Sequence, residues 1–257
     1  VQVSPVKMFG KLKPKVKLWG LQGKIGLAGN YLLMAFYTTV TGWMLRYFAE
    51  AVTGAYMSLD SAGIQQHFHT VLADPGSVVF YMGLTVLIGF GVCAAGLQNG
   101  LEEITKWMMG VLLVAMVVLA VNSLFQPGGM EGLKYFLMPN WDAFLEIGPA
   151  KVICAAMSQA FFTLSLGIGG MAIFGSYIGK ENTLLSESVR VAGLDTFVAI
   201  TAGLIIIPSC FAYNIELNAG PSLIFITLPN IFNNMPFGQL WAALFFLFIS
   251  FAALSTV

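Results

Sequence analysis

The sequence is short of charge. Only 9% of its 257 residues are Asp, Glu, Lys or Arg, against about a quarter in ordinary soluble domains, while 58% are hydrophobic and the mean hydropathy is +0.82. A chain this poor in charge cannot cover a water-facing surface, which excludes a soluble globular domain and predicts an integral membrane protein. The few charges cancel, twelve basic against twelve acidic, so there is no excess of one sign to hold nucleic acid or another polyanion. Cysteine is scarce as well. Cys93, Cys154 and Cys210 stand far apart within apolar runs, a spacing that suits neither a disulfide framework nor a metal motif, and each reads as a small buried hydrophobe. Histidine occurs twice, at His67 and His69; without Cys nearby or an acidic residue at ligand spacing, the pair reads as a solvated loop and not a metal site. No Ser/His/Asp, Cys/His or paired-carboxylate arrangement lies within reach of the bilayer core, so no enzyme is expected.

What the chain has in quantity is long apolar runs. Six lie near 26–51, 78–97, 107–125, 151–178, 191–213 and 237–257, each close to the roughly 20 residues a spanning helix needs. The fold class expected is an all-α transmembrane bundle of about six spans, a single transmembrane domain over 1–257 with a basic segment at 1–25. The loops near 52–77, 126–150 and 214–236 are expected outside the cell. The first 25 residues hold Lys7, Lys11, Lys13, Lys15, Lys17 and Lys24 and no acidic residue. With that segment inside, nine basic residues near helix ends face the cytoplasm and three, Arg46, Lys134 and Lys151, face outward, which predicts a cytoplasmic amino-terminal segment. The basic, mixed-polarity first two dozen residues do not read as a cleavable signal peptide. The chain opens at Val1 and stops inside an apolar run, and a piece of a longer protein is expected.

One run differs from a plain anchor. Lys151 to Ile178 carries Ser158, Gln159, Thr163 and Ser165 and then Gly167, Gly169 and Gly170. Backbone polar groups in hydrocarbon must be satisfied internally, so a glycine-rich break at that depth survives only where it lines an enclosed or watery cavity. The Gly167 to Ala172 string also fits a dinucleotide fingerprint, with Glu187 twenty positions after Gly167, but a membrane-length run supplies no βαβ unit around it. Asp195, in VAGLDTFVAI, places a carboxylate inside another apolar run. It reads either as a group facing a cavity or an ion or as a helix-start carboxylate favoured by the helix dipole. The segment 214–236 mixes breakers with apolar runs too short to span, as re-entrant or cavity-capping pieces do.

At these residues the chain resembles a known family. SQAFFTLSLGIG at Ser158 to Gly169 closely resembles the sixth helix of the neurotransmitter:sodium symporters, including bacterial amino-acid transporters with the leucine-transporter fold. In order along the chain, YTTVTGW at Tyr37 to Trp43 is similar to the third helix, LDTFVAITAG at Leu194 to Gly203 to the seventh, IFITLPNIF at Ile224 to Phe232 to the extracellular lid, and FAALST at Phe251 to Thr256 to the eighth. The resemblance implies a partial inverted-repeat fold running from the first cytoplasmic loop to the middle of helix eight, without the first two helices or the last four.

It also implies a function: sodium-coupled symport of a neutral, apolar or aromatic amino acid by alternating access, in the plasma membrane. Sodium ions are implied, and no organic cofactor. Tyr37, Phe162, Ser165 and Ile168 would meet the amino-acid substrate, with Phe162 as an outer gate. Thr163 and Asp195 would stand in a first sodium site; the Ala252 carbonyl and the Ser255 and Thr256 hydroxyls would stand in a second. Gln159 falls near the place where eukaryotic members bind chloride. Asp195 stands where many relatives have Asn, so a fixed carboxylate would replace the anion and transport would be chloride-independent, although Ala199, one turn on, is not acidic. Alone, these 257 residues are not expected to transport. The alternative is a nontransporting membrane module that keeps the family's packing.

Overall fold

The computed structural model describes residues 5–12, 15, 19–94, 98–167, 169–177, 183–217 and 220–254. All of its regular structure among these residues is helical. Helix α1 runs Pro5–Leu12, α2 Trp19–Thr53, α3 Ser61–Leu72, α4 Pro75–Ala94 and α5 Gln98–Phe125. Then come α6 Gly129–Leu137, α7 Trp141–Ile147, α8 Pro149–Thr163, α9 Gly170–Tyr177 and α10 Leu184–Tyr213. A π-helical segment, Leu223–Thr227, leads into α11 Leu228–Asn233, and α12 spans Gly238–Leu254.

Three described helices are long and apolar enough to cross a membrane: Pro75–Val92, Lys106–Phe125 and Leu184–Tyr213. They are the second, third and fifth of the expected spans. The first lies in α2, whose 35 residues reach about 52 Å at 1.5 Å per residue but whose apolar positions are interrupted by Asn30, Thr38, Thr39 and Thr41. The fourth is cut in two between α8 and α9. The sixth is α12, described over 17 residues.

The chain divides into two compact units, Val1–Met34 with Pro139–Ala199, and Ala35–Met138 with Ile200–Val257. The second unit holds every fully buried hydrophobic side chain among the described residues. Its centre is aromatic. Tyr47 lies 5.0 Å from Phe225 and 5.3 Å from Phe246 between ring centroids, and Phe225 stacks on Phe68 at 5.5 Å. Offset and tilted rings at these separations add to plain burial.

Residues 52–77, expected as a loop, contain helix α3. Asp60 caps it by accepting from the Gly63 amide at 2.8 Å, and Ile64, Phe68 and Val71 repeat on one buried face. His67 shares that face, so the solvated-loop reading is corrected for it: Nε2 lies 2.8 Å from Glu50 Oε2. Glu50 also accepts from Arg46 Nε at 2.8 Å, and Arg46 reaches Asp74 at 3.5 Å. Arg46, Tyr47 and Glu50 follow helical spacing on α2, which sets an ion-pair layer beside the aromatic core. His69 is exposed. Next to the layer, Tyr56 is fully buried, and burial followed by the Glu50 charge holds its phenol well above the ordinary range.

Within the segment 214–236, one stretch, 225–232, is buried. Phe225, Ile226 and Thr227 of the π-helical turn and Leu228 to Phe232 of α11 are all buried. Pro229 has no amide to give the Phe225 carbonyl, and the turn just before it widens, with Leu228 N–H reaching back five residues to the Leu223 carbonyl. Cys210 is buried as expected, whereas Cys154 is exposed on α8, which corrects that reading; the Cys93 side chain lies outside the described residues.

Candidate functional site

In the first unit, α8 begins with Pro149 at its first turn and ends at Thr163. The ending is a Schellman motif: Leu166 N–H bonds the Phe161 carbonyl at 2.9 Å and Ser165 N–H bonds Phe162 at 3.1 Å. Glycine usually fills the left-handed position of this motif, but here it is Ser165, with φ 52°. Gly167 and Gly169 follow at φ 89° and 88°, conformations that a Cβ makes costly. Among the described residues, 164–167 and Gly169 are therefore non-helical, and α9 starts at Gly170. The break expected from the glycines is present, and a serine in a strained backbone at its edge is a feature that collects at functional sites.

Opposite the break stands Asp195, half-buried on α10. Thr163 donates its hydroxyl to Asp195 Oδ1 at 2.8 Å, which joins the last residue of α8 to the carboxylate inside the apolar run. Two side-chain oxygens thus converge next to backbone that has left its helical ladder. Oxygen-only donors suit a hard monovalent or divalent cation and not a soft metal. Among the described residues no three His, Cys, Asp or Glu side chains converge on a common point.

A cavity of about 320 Å³ adjoins the break, lined among others by Ser165, Gly167 and Gly169, by Gln22, Gly26 and Asn30 of α2 and by Val6 of α1. Gln22 donates Nε2 to the Gly167 carbonyl at 2.9 Å. Sequence reasoning missed Gln22. Its signal was present: Gln22, Gly26 and Asn30 recur every fourth residue, a small and polar stripe along one helix face.

The other expected site residues are placed as follows. Phe162 is 59% exposed, and Gln159 is exposed on α8. Tyr37 and Ala252 are half-buried members of the second unit. Ile168, Ser255 and Thr256 lie outside the described residues.

Comparison with known proteins bears on this arrangement. A profile of the sodium:neurotransmitter symporter family matches residues 61–257. The chain belongs to the sodium:neurotransmitter symporter family. It is 32% identical over 259 residues to the uncharacterized sodium-dependent transporter YhdH of Bacillus subtilis, covering 99% of this chain and 55% of the relative. An uncharacterized sodium-dependent transporter of Haemophilus influenzae is likewise 32% identical, over 97% of this chain and 55% of its own length. Among solved structures, MhsT in complex with L-phenylalanine matches at a TM-score of 0.88 and 37% identity, over 99% of this chain and 57% of that one. The symporter fold and the membrane class expected from the sequence hold. The relatives are transporters, not enzymes. This chain spans about half the length of the relatives it matches.

Proposed function

We propose that the complete protein couples the inward movement of sodium to the uptake of a neutral amino acid with an apolar or aromatic side chain, by alternating access across the plasma membrane. The observation that carries this reading is the 2.8 Å bond from Thr163 to Asp195 at the mouth of the broken α8–α9 segment. In that role Thr163 and Asp195 supply oxygens to a first sodium, and the carbonyls released at the break complete its shell. Phe162, Ser165 and Ile168 are substrate contacts in this reading, and Tyr37 is assigned a substrate-binding role from the second unit's own sequence. The Ala252 carbonyl, Ser255 and Thr256 serve a second sodium, and Gln159 borders the anion region. The L-phenylalanine bound in the MhsT structure supports an aromatic substrate. Coupling needs no further machinery: two ligands that favour the same closed state raise each other's affinity by the same factor.

The amino-terminal segment lies in the cytoplasm under the basic-residue bias. The fixed charge of Asp195 makes chloride unnecessary, so replacing chloride by gluconate leaves uptake unchanged; chloride-dependent uptake would remove this part of the reading. The test of the whole is uptake of labelled L-phenylalanine by the complete protein in proteoliposomes, with sodium or with potassium outside. Uptake that needs sodium supports symport, and uptake indifferent to sodium refutes it.

A further inference from the structure

Pro208 sits inside α10. An α-helical amide bonds the carbonyl four residues back, so proline at 208 leaves the Leu204 carbonyl without its helical donor. That carbonyl is not left bare. Ser123 of α5, 3% exposed, donates its hydroxyl to Leu204 O at 2.6 Å. The same hydroxyl lies 2.8 Å from the carbonyl of Ala120 in its own helix. A serine hydroxyl has a single proton, so the two carbonyls are alternative acceptors: one ties α5 to α10, the other returns the proton to α5.

The surroundings fit a seam built around this point. Gly132 of α6 lies against the proline, where an added Cβ would come within 2.6 Å of Pro208 Cα. Phe136, one turn further along α6, covers Gly203, and Tyr135 packs on Phe211 with ring centroids 5.3 Å apart. All of these residues belong to the second unit.

We propose that Ser123 is a two-position latch on α10: it stands in for the amide that Pro208 lacks, and rotation of its hydroxyl toward the Ala120 carbonyl, with the O–H bond intact, frees α10 to part from α5. The seam then has two discrete arrangements of one hydrogen bond, which is what a two-state element requires. Cys210, two residues beyond the proline and buried, reports the opening.

The experiment measures the rate at which N-ethylmaleimide alkylates Cys210 in the complete, folded protein whose other cysteines are replaced by alanine. Ser123→Ala is expected to raise the rate about tenfold, because a buried carbonyl loses its partner and local opening becomes easier. Ser123→Thr keeps the slow rate. In a Pro208→Ala background the restored amide reclaims Leu204, so adding Ser123→Ala changes the rate by less than about twofold. Equal acceleration by Ser123→Ala in both backgrounds overturns the latch, as does a Ser123→Thr protein that labels as fast as Ser123→Ala. Should Pro208→Ala fail to accumulate, Ser123→Val decides: it matches threonine in shape without the hydroxyl, is expected to label fast, and overturns the proposal if it labels as slowly as Ser123→Thr.

Discussion

The two units of this chain are built on opposite terms. The second is organised by burial, with Tyr47, Phe225 and Phe246 fully enclosed and an ion-pair layer from Arg46, Glu50 and His67 at its margin. The first is organised by backbone. Helices α7 and α8 have no buried residue, and its shape comes from proline and asparagine helix starts, a strained Ser165, two left-handed glycines and single hydrogen bonds from Thr163 and Gln22. Packing makes a region stable; exposed carbonyls and hydroxyls make it able to bind. The candidate site lies in the region that gives up the first for the second, as sites on low-stability elements do.

This contrast can be broken by substitution. The largest effect is expected from Phe225→Ala, which empties the centre of the second unit and should lower its stability by about 3–5 kcal/mol, read as a fall in thermal midpoint of the detergent-solubilised complete protein. Asp195→Asn comes next and should act on function alone. A neutral oxygen donor holds a cation more weakly than a carboxylate, so sodium-dependent uptake at limiting sodium should fall roughly tenfold or more, while the thermal midpoint without sodium stays close to the parent because the amide oxygen still accepts from the exposed Thr163 hydroxyl. If Asp195→Asn unfolds the protein as Phe225→Ala does, the division between a packed unit and a binding unit fails.

Two smaller effects sharpen it. Gly132→Ala forces a methyl group against the α10 backbone, and overpacking of this kind costs about 1–3 kcal/mol; the thermal midpoint again measures it, and an unchanged midpoint would show that α6 is free to shift. The least change is expected from Tyr47→Phe. The Tyr47 hydroxyl is buried and has no hydrogen-bond partner among the described residues, so its removal should leave stability within about 1 kcal/mol of the parent or raise it. A clear loss would reveal a bound water that satisfies it.

Much of the site was legible because its signals are local. Gly167 and Gly169 announce left-handed backbone, and Asp195 is conspicuous in an apolar run; the break and the carboxylate were both expected at those residues. The bond that joins Thr163 to Asp195 spans 32 positions, and no local pattern says which hydroxyl a carboxylate will meet. Gln22 was overlooked because a glutamine near a basic segment resembles solvated surface until a freed carbonyl is placed beside it. His67 was misread for a related reason: seen alone it is a polar loop residue, and only the return of α3 against α2 brings it to Glu50. The break near Pro229 was legible as a sequence of breakers, but its burial was not.

The amino-acid sequence by itself determined the membrane class, the helical content, the discontinuity after Thr163 and the family, since each depends on composition or on residues adjacent in the chain. Tertiary structure alone decided which polar groups are paired: Thr163 with Asp195, Gln22 with Gly167, His67 with Glu50, and Ser123 with the carbonyl that Pro208 leaves free. The physical reason is distance along the chain: each partner stands 17 to 145 positions away, where only folding can bring it, and for the buried Ser123 the pairing also offsets the loss of water.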